Sequence, residues 1–292
     1  MKLRARAPAT AANLGPGFDC LALALDVWNE FELDTDAPPG LEVEGEGAAE
    51  LANPDSHLVV STIRGAAGMR GADVPPFRLR CTNRVPLARG LGSSASAVVA
   101  GILLAERLFD DVATPTARLA RASAIEGHPD NAAACLEGGL ALVYRPAGVH
   151  EPRAIRLEPH PDLRPVVLVP ESERVSTEAA RRALPSSVPM AVAVTTLARA
   201  ALAVVALTGR PDLLGAAIVD ELHEPFRLPL APGAAVMHER LRAEGFPVCV
   251  AGSGPSLLVF EQDPARPVPD PGGGWRALRP AVASRGAFVE GA

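Results

Sequence analysis

Lysine is almost absent from this chain of 292 residues: Lys2 is the only one, and arginine supplies the rest of the 28 basic side chains. A Walker loop needs a Gly-Lys-Ser/Thr triplet, so that route to nucleotide binding is excluded. Cysteine is sparse too, with Cys20, Cys81, Cys135 and Cys249 far apart, no CxxC pair and no clustered histidines. The closely spaced ligands of a structural zinc site are missing, and free buried thiols in a reducing compartment are the expectation. There is no excess of positive charge either. A formal net charge of −6 gives no general attraction to nucleic acid or to an anionic membrane surface. Met1 to Pro8 lack the apolar run of a secretion signal. The longest apolar window, residues 188–208, carries Arg199 near its middle, where a bilayer would penalise the charge by about 2.5–3.5 kcal/mol. Pro189 reads as a first-turn proline and Gly209 as a C-terminal cap, so a buried helix is expected. The chain is therefore read as cytoplasmic, with neither a membrane nor a nucleic-acid partner.

Hydrophobic residues make up 48% and charged residues 21%, the mix of an ordinary folded protein, and the length admits one large domain or two moderate ones. Alternating patterns predict strands over 3–9, 20–35 and 77–83, with a helix at His57–Met69. Between the first two strands, ATAANLGPGFD is too rich in Gly, Pro and Asn for helix or strand. A helix starts at Ser93, Thr114-Pro115 opens another that runs to about Glu126, and GGLALVY reads as a strand. A second unit starts near Pro161, with the strand VVLVP and helices at 177–184, 189–208, 211–222 and 233–244. In it the strands VCVA and SLLVF flank AGSGPS. Strands and helices come in unequal runs without regular βαβα alternation, which predicts an α+β fold.

The strongest chemical signal is VPLARGLGSSASAVVAG, residues 85–101. Gly90 and Gly92 let the backbone approach a ligand closely. Ser93, Ser94 and Ser96 offer hydroxyls and a natural N-cap to the helix that follows, and a helix N-terminus suits a phosphate. A plain glycine turn into a capped helix would read the same way. GLGSSA and GSGPSL each lack the third glycine of a dinucleotide fingerprint.

GLGSSAS resembles the ATP-binding motif of the GHMP kinases, and PATAANLGPGFD (8–19) and AGSGPS (251–256) resemble that family's other two signatures. EGHPDN (126–131), STEAAR (176–181) and LHEPFR (222–227) are similar to the branch of the family that acts on homoserine. Mild departures are Ala11 where Ser is common, Thr196 for Asn, Phe226 for Tyr and Glu224 for Gln. Of these, only Glu224 bears on charge near a substrate carboxylate.

The resemblance implies a two-domain α+β fold, with a ribosomal protein S5 domain 2-like ATP-binding domain over 1–160 and a ferredoxin-like substrate-side domain over 161–292. It implies ATP and Mg²⁺ as cofactors and L-homoserine as substrate, phosphorylated on its side-chain hydroxyl. A kinase of a mevalonate-like alcohol and a non-catalytic ATP sensor are the alternatives, and a homodimer is an admissible assembly. The phosphate loop would run from Pro86, Leu87, Ala88 and Arg89 through Gly90, Leu91 and Gly92 to Ser93, Ser94, Ala95 and Ser96. Ser94 and Glu126 would hold Mg²⁺, unless Glu126 is an ordinary helix-end acid. Arg181 and Arg227 would bind the substrate carboxylate. Asp19 would take the ammonium, or else close an Asx-type turn. Asn13, Asn131 and Gly252 would line the substrate pocket. Asp130, with Asn131, is the candidate catalytic pair: Asp130 either accepts the hydroxyl proton or caps the helix that follows. His128 beside it reads as structural.

Overall fold

The computed structural model describes residues 1–291. Eleven strands form two sheets among the described residues. The first part of the chain supplies β1 (Lys2–Ala12), β2 (Leu21–Asp34), β3 (Gly40–Gly45), β4 (Arg78–Asn83), β5 (Leu140–Tyr144) and β6 (Arg153–Leu157). The remainder supplies β7 (Pro165–Pro170), β8 (Val248–Val250), β9 (Leu257–Phe260), β10 (Trp275–Leu278) and β11 (Phe288–Glu290). The larger sheet has the order β11-β1-β2-β4-β3, with β5 and β6 continuing from the far end of β2. Only the β3–β4 pair in it is parallel. The smaller sheet, β10-β7-β9-β8, is antiparallel throughout, the strand order expected of a ferredoxin-like unit. The α+β expectation holds. The last strand, β11, returns to pair with β1 on the first sheet.

Nine α-helices accompany the strands among the described residues: α1 (Leu58–Gly68), α2 (Ser93–Leu108), α3 (Pro115–Glu126), α4 (Asp130–Glu137), α5 (Thr177–Arg182), α6 (Met190–Thr208), α7 (Leu214–Ala217), α8 (Glu224–Arg227) and α9 (Pro232–Ala243). Thr114 caps α3 by accepting the Ala117 N–H at 3.2 Å, as the Thr-Pro pair predicts. Strand β7 is buried on both faces, and its period of two sorts it between two cores. Val166 and Leu168 face Met237 and Leu241 of α9. Val167 and Val169 join Leu21, Leu23, Leu91 and Leu207 in a core shared by both sheets.

Three expectations change. Strand β1 runs on to Ala12, because Ala9–Ala12 pair with Ala22–Leu25 beyond a register shift at Pro8, so the irregular loop begins only at Asn13. The predicted helix at 211–222 is broken. After α7 the Asp220 carboxylate accepts the N–H groups of His223 (2.7 Å) and Glu224 (2.8 Å), turning the chain and starting the short α8. The helix at 190–208 forms between Pro189 and Gly209 but is not a buried one. It buries only Ala203, Ala206 and Leu207, while Met190 and Leu197 are 78% and 72% exposed. By length and composition it is apolar enough to cross a membrane. Arg199 within it donates to Glu221 Oε1 at 2.6 Å.

Candidate active site

The first strand pair, the glycine-serine loop and the AGSGPS segment converge on one cleft of about 420 Å³. Glycine chemistry explains the convergence. Gly90 has φ +75°, and a Cβ there would stand 2.1 Å from the Ala251 carbonyl oxygen, so the loop lies directly on AGSGPS. Gly252 in turn donates its N–H to Ala12 O at 3.0 Å, and the Asn13 amide donates to Gly252 O at 2.7 Å. Gly92 has φ +67°, and a Cβ there would lie 2.0 Å from Thr10 Oγ1. Thr10 also binds the loop through its backbone, N–H to Leu91 O at 3.1 Å, and donates its hydroxyl to Asn131 Oδ1 at 2.7 Å.

Helix α2 starts at Ser93 with the left-handed Gly92 as its N-cap residue and no side-chain cap. The expected serine cap is thus corrected. The serines sit inside the first turn, and the helix terminus faces the cleft with its leading N–H groups uncapped. Pro86 through Ser94 line the cleft, but Ala95 and Ser96 do not. Both are fully buried, and Ser96 Oγ accepts from Asn29 at 2.8 Å while donating to Ser93 O at 2.8 Å. Helical periodicity turns them inward, so they leave the set of candidate ligand-facing residues. Arg89 lines the cleft as well, yet its guanidinium is spent on backbone carbonyls, Pro170 O at 2.8 Å and Glu171 O at 2.7 Å.

Ser94 Oγ donates to Glu126 Oε1 at 2.5 Å. Burial holds the Glu126 carboxyl above its ordinary value, against the opposing effect of that hydrogen bond. Two hard oxygen donors side by side at an uncapped helix terminus fit Mg²⁺. Among the described residues no three His, Cys, Asp or Glu side chains cluster to hold a metal. A cation at Ser94 and Glu126 would therefore complete its shell with phosphate and water oxygens.

Asp130 opens α4 rather than preceding it. Its Oδ1 accepts the Asn131 N–H at 2.7 Å and faces His128 Nδ1 at 3.0 Å, a bond that raises the pKa of the imidazole. The expected helix cap is not formed: α4 has Pro129 at its N-cap and no side-chain cap, and Asp130, inside the first turn, lines the cleft.

Asp19, Arg181 and Arg227 come together from distant parts of the chain. Arg181 grips Asp19 with both nitrogens, at 3.1 and 2.9 Å. Asp19 has φ +56°, its N–H donates to Asn13 Oδ1 at 3.1 Å, and its carboxylate closes no turn. Arg227 is 4% exposed, donates to Gly252 O at 2.8 Å and stacks 5.0 Å from the Phe18 ring centroid. Burial and the neighbouring Arg181 lower its pKa. Arg181 lies over the same ring at 5.9 Å. Sequence reasoning does not single out Phe18, Thr10 or His223. His223 is fully buried, faces the Gly15 carbonyl oxygen at 2.9 Å and packs on Phe18 at 5.1 Å. Only their membership of the PATAANLGPGFD and LHEPFR segments could have flagged them. Cys20, nearby, is no thiolate: burial, and then Asp130 and Asp19, push its pKa up to about 11.

Glu224 does not bear on this site. It is 1% exposed, accepts the Val250 N–H at 2.6 Å and sits 3.3 Å from His238 Nε2. Glu224→Gln should keep wild-type turnover and a stability within about 1 kcal/mol, because an amide oxygen also accepts the Val250 N–H. Glu224→Leu orphans that donor and should cost about 1–3 kcal/mol in denaturant unfolding. A loss of turnover in folded Glu224→Gln would return the residue to the site.

Residues 57–139 match the model of the GHMP kinases N terminal domain. Among solved structures, homoserine kinase from Cytophaga hutchinsonii shares the fold with a TM-score of 0.81 and 25% identity, over 99% of this chain and 97% of that one. A glycine-serine loop at an uncapped helix terminus, set in this two-sheet frame, is the site of a GHMP-type kinase. Two curated homoserine kinases are similar over almost their full lengths. That of Streptomyces avermitilis is 42% identical over 98% of this chain and 95% of its own. That of Streptomyces coelicolor is 41% identical over 98% and 94%. The chain belongs to the homoserine kinases of the GHMP family.

Proposed function

We propose that the protein transfers the γ-phosphoryl group of MgATP to the side-chain hydroxyl of L-homoserine, giving O-phospho-L-homoserine for threonine synthesis. The observation that carries the substrate assignment is the Asp19–Arg181 ion pair beside buried Arg227, in the same cleft as the glycine-serine loop. A zwitterion can exchange that one pair for two, its carboxylate on the guanidiniums and its ammonium on Asp19. An acid without an amine, such as mevalonate, would take Arg181 and leave Asp19 without its partner.

In this reading residues 1–160 bind the nucleotide and 161–292 carry the substrate arginines, with β11 returning to the first sheet. MgATP supplies the transferred group, and alignment and charge neutralisation are the protein's main contribution. The Gly90–Ser94 segment orients the phosphates with backbone N–H groups and hydroxyls. Ser94 and Glu126 hold Mg²⁺. Asn131, held by the Thr10 hydroxyl, positions the hydroxyl of homoserine, and Asp130 receives its proton. ADP release with L-homoserine, mevalonate and shikimate tests the reading, and turnover is expected with L-homoserine alone. Turnover with mevalonate and none with homoserine would overturn it.

Removing the metal oxygens separates binding of Mg²⁺ from other roles. Ser94→Ala and Glu126→Gln should each raise the Mg²⁺ concentration for half-maximal turnover by about tenfold or more, the scale of one lost charge-assisted contact. A wild-type Mg²⁺ titration for Glu126→Gln makes Glu126 a helix-end acid and nothing more.

A further inference from the structure

A second cavity, of about 340 Å³, lies between α1, α2 and α3, outside the residues given roles above. Its size falls within the roughly 300–1,000 Å³ of small-molecule sites. The walls are mostly apolar, from Ala66, Met69, Ile102, Ala105 and Ile125. Gly65 opens onto it, and a Cβ at that position would meet nothing within 4 Å. Polar groups in this wall are unsatisfied. Thr62 is 5% exposed and its Oγ1 has no hydrogen-bond partner, and Arg70 Nε is likewise buried and unpartnered. Both atoms are closed off from the cavity's own space, so the charge of the wall, rather than these atoms, decides what the cavity would take.

Charge gives the sign of such a ligand. Glu106, on the cavity wall, is neutralised by Arg118 through bonds of 2.7–3.0 Å, and Arg70 is paired with Asp111. Arg121 lines the cavity and makes no ion pair among the described residues. Three guanidiniums against two carboxylates leave one positive charge for an anion, next to walls that favour hydrocarbon. We propose that this cavity binds a small aliphatic monocarboxylate, its chain between Ile102, Met69 and Ile125 and its carboxylate at Arg121 and Arg70. Ile125 also lines the catalytic cleft, so the two sites share a wall while their ligand-binding groups remain separate.

Calorimetric titration of the full chain with octanoate tests this, with 1-octanol and octylammonium as neutral and cationic counterparts. Octanoate is expected to bind one-to-one and saturably, at least about tenfold tighter than either counterpart. Saturating L-homoserine with MgATP should leave its affinity within about twofold. Arg121→Glu should weaken it at least about tenfold, and Gly65→Leu, which fills the cavity from a helix position with free space, should abolish it. Both variants should keep wild-type turnover, which shows that they fold. No binding of octanoate, equal binding of octanol, displacement by the substrates, or unchanged affinity in folded Arg121→Glu and Gly65→Leu each overturns the proposal. Because binding is read without turnover, its failure is distinct from failure of the kinase reading.

Discussion

Gly92→Val is expected to fold and to lose ATP-dependent turnover by a hundredfold or more. The sequence suggests only that Gly92 lets the backbone approach a ligand closely, and the structure gives a more direct cause. A Cβ there would strike Thr10 Oγ1, 2.0 Å away, with Asn131 Oδ1 at 3.2 Å. Gly92 also has φ +67°, a left-handed conformation that costs an L residue about 1–2 kcal/mol and a β-branched one more. Relief requires the loop to lift from β1, which breaks the register of the α2 terminus with Asn131. A displacement of about 1 Å in a positioning element can cost on the order of a hundredfold in rate. The core strands lie elsewhere, so circular dichroism should report a folded protein. Wild-type ATP affinity and turnover in a folded Gly92→Val protein would remove the loop from the nucleotide site.

Loss of either arginine proposed to bind the substrate should be nearly as severe and far more selective. Arg181→Ala is expected to lower kcat/KM for L-homoserine by roughly 30- to 1000-fold, or about 2–4 kcal/mol for a charge-assisted pair. ATP affinity should hardly change. Arg181 is the cleaner variant, because among the described residues its only hydrogen-bonded side-chain partner is Asp19. Arg227 donates to Gly252 O, and Gly252 packs on Gly90, so Arg227→Ala should carry a smaller secondary loss in ATP affinity. Lysine should rescue neither position well, since an ammonium cannot reproduce a planar fork. Asp19→Asn should hurt L-homoserine more than an analogue lacking the amine. Equal losses of ATP and homoserine affinity in Arg181→Ala would make that residue structural or a phosphate ligand.

Motifs separated by more than two hundred residues are legible as one site because glycine is informative where backbones touch. Gly90, Gly92 and Gly252 all have positive φ, and two of them lie against neighbouring backbone. Side-chain direction is not legible to the same degree. Ser96 shares the loop's sequence signature yet points inward, which only the helix phase decides. In the sequence Asp19 and Arg181 read as receivers of opposite ends of one substrate, and their pairing with each other depends on a tertiary approach across 162 positions. The break at 211–222 comes from one carboxylate, Asp220, outcompeting helical hydrogen bonds, a local effect that apolar periodicity does not register. The exposure of α6 is hidden for the opposite reason. Its composition is that of a core helix, and periodicity does not say how much of a helix the rest of the chain covers.

Arg89 has a mechanical consequence. Its guanidinium is moored to the carbonyl groups at the end of β7, and the next residue is seated on Ala251. A jaw-like swing of the two sheets would have to tear both moorings at once. The glycine-serine loop is therefore fastened to the second sheet at two neighbouring points, Arg89 and Gly90. On the rim of the cleft the short helix α5 carries Arg181, which is tied across it to Asp19. In the proposed reading, a zwitterionic substrate would have to part that pair in order to bind, so the ion pair would be exchanged rather than kept during turnover.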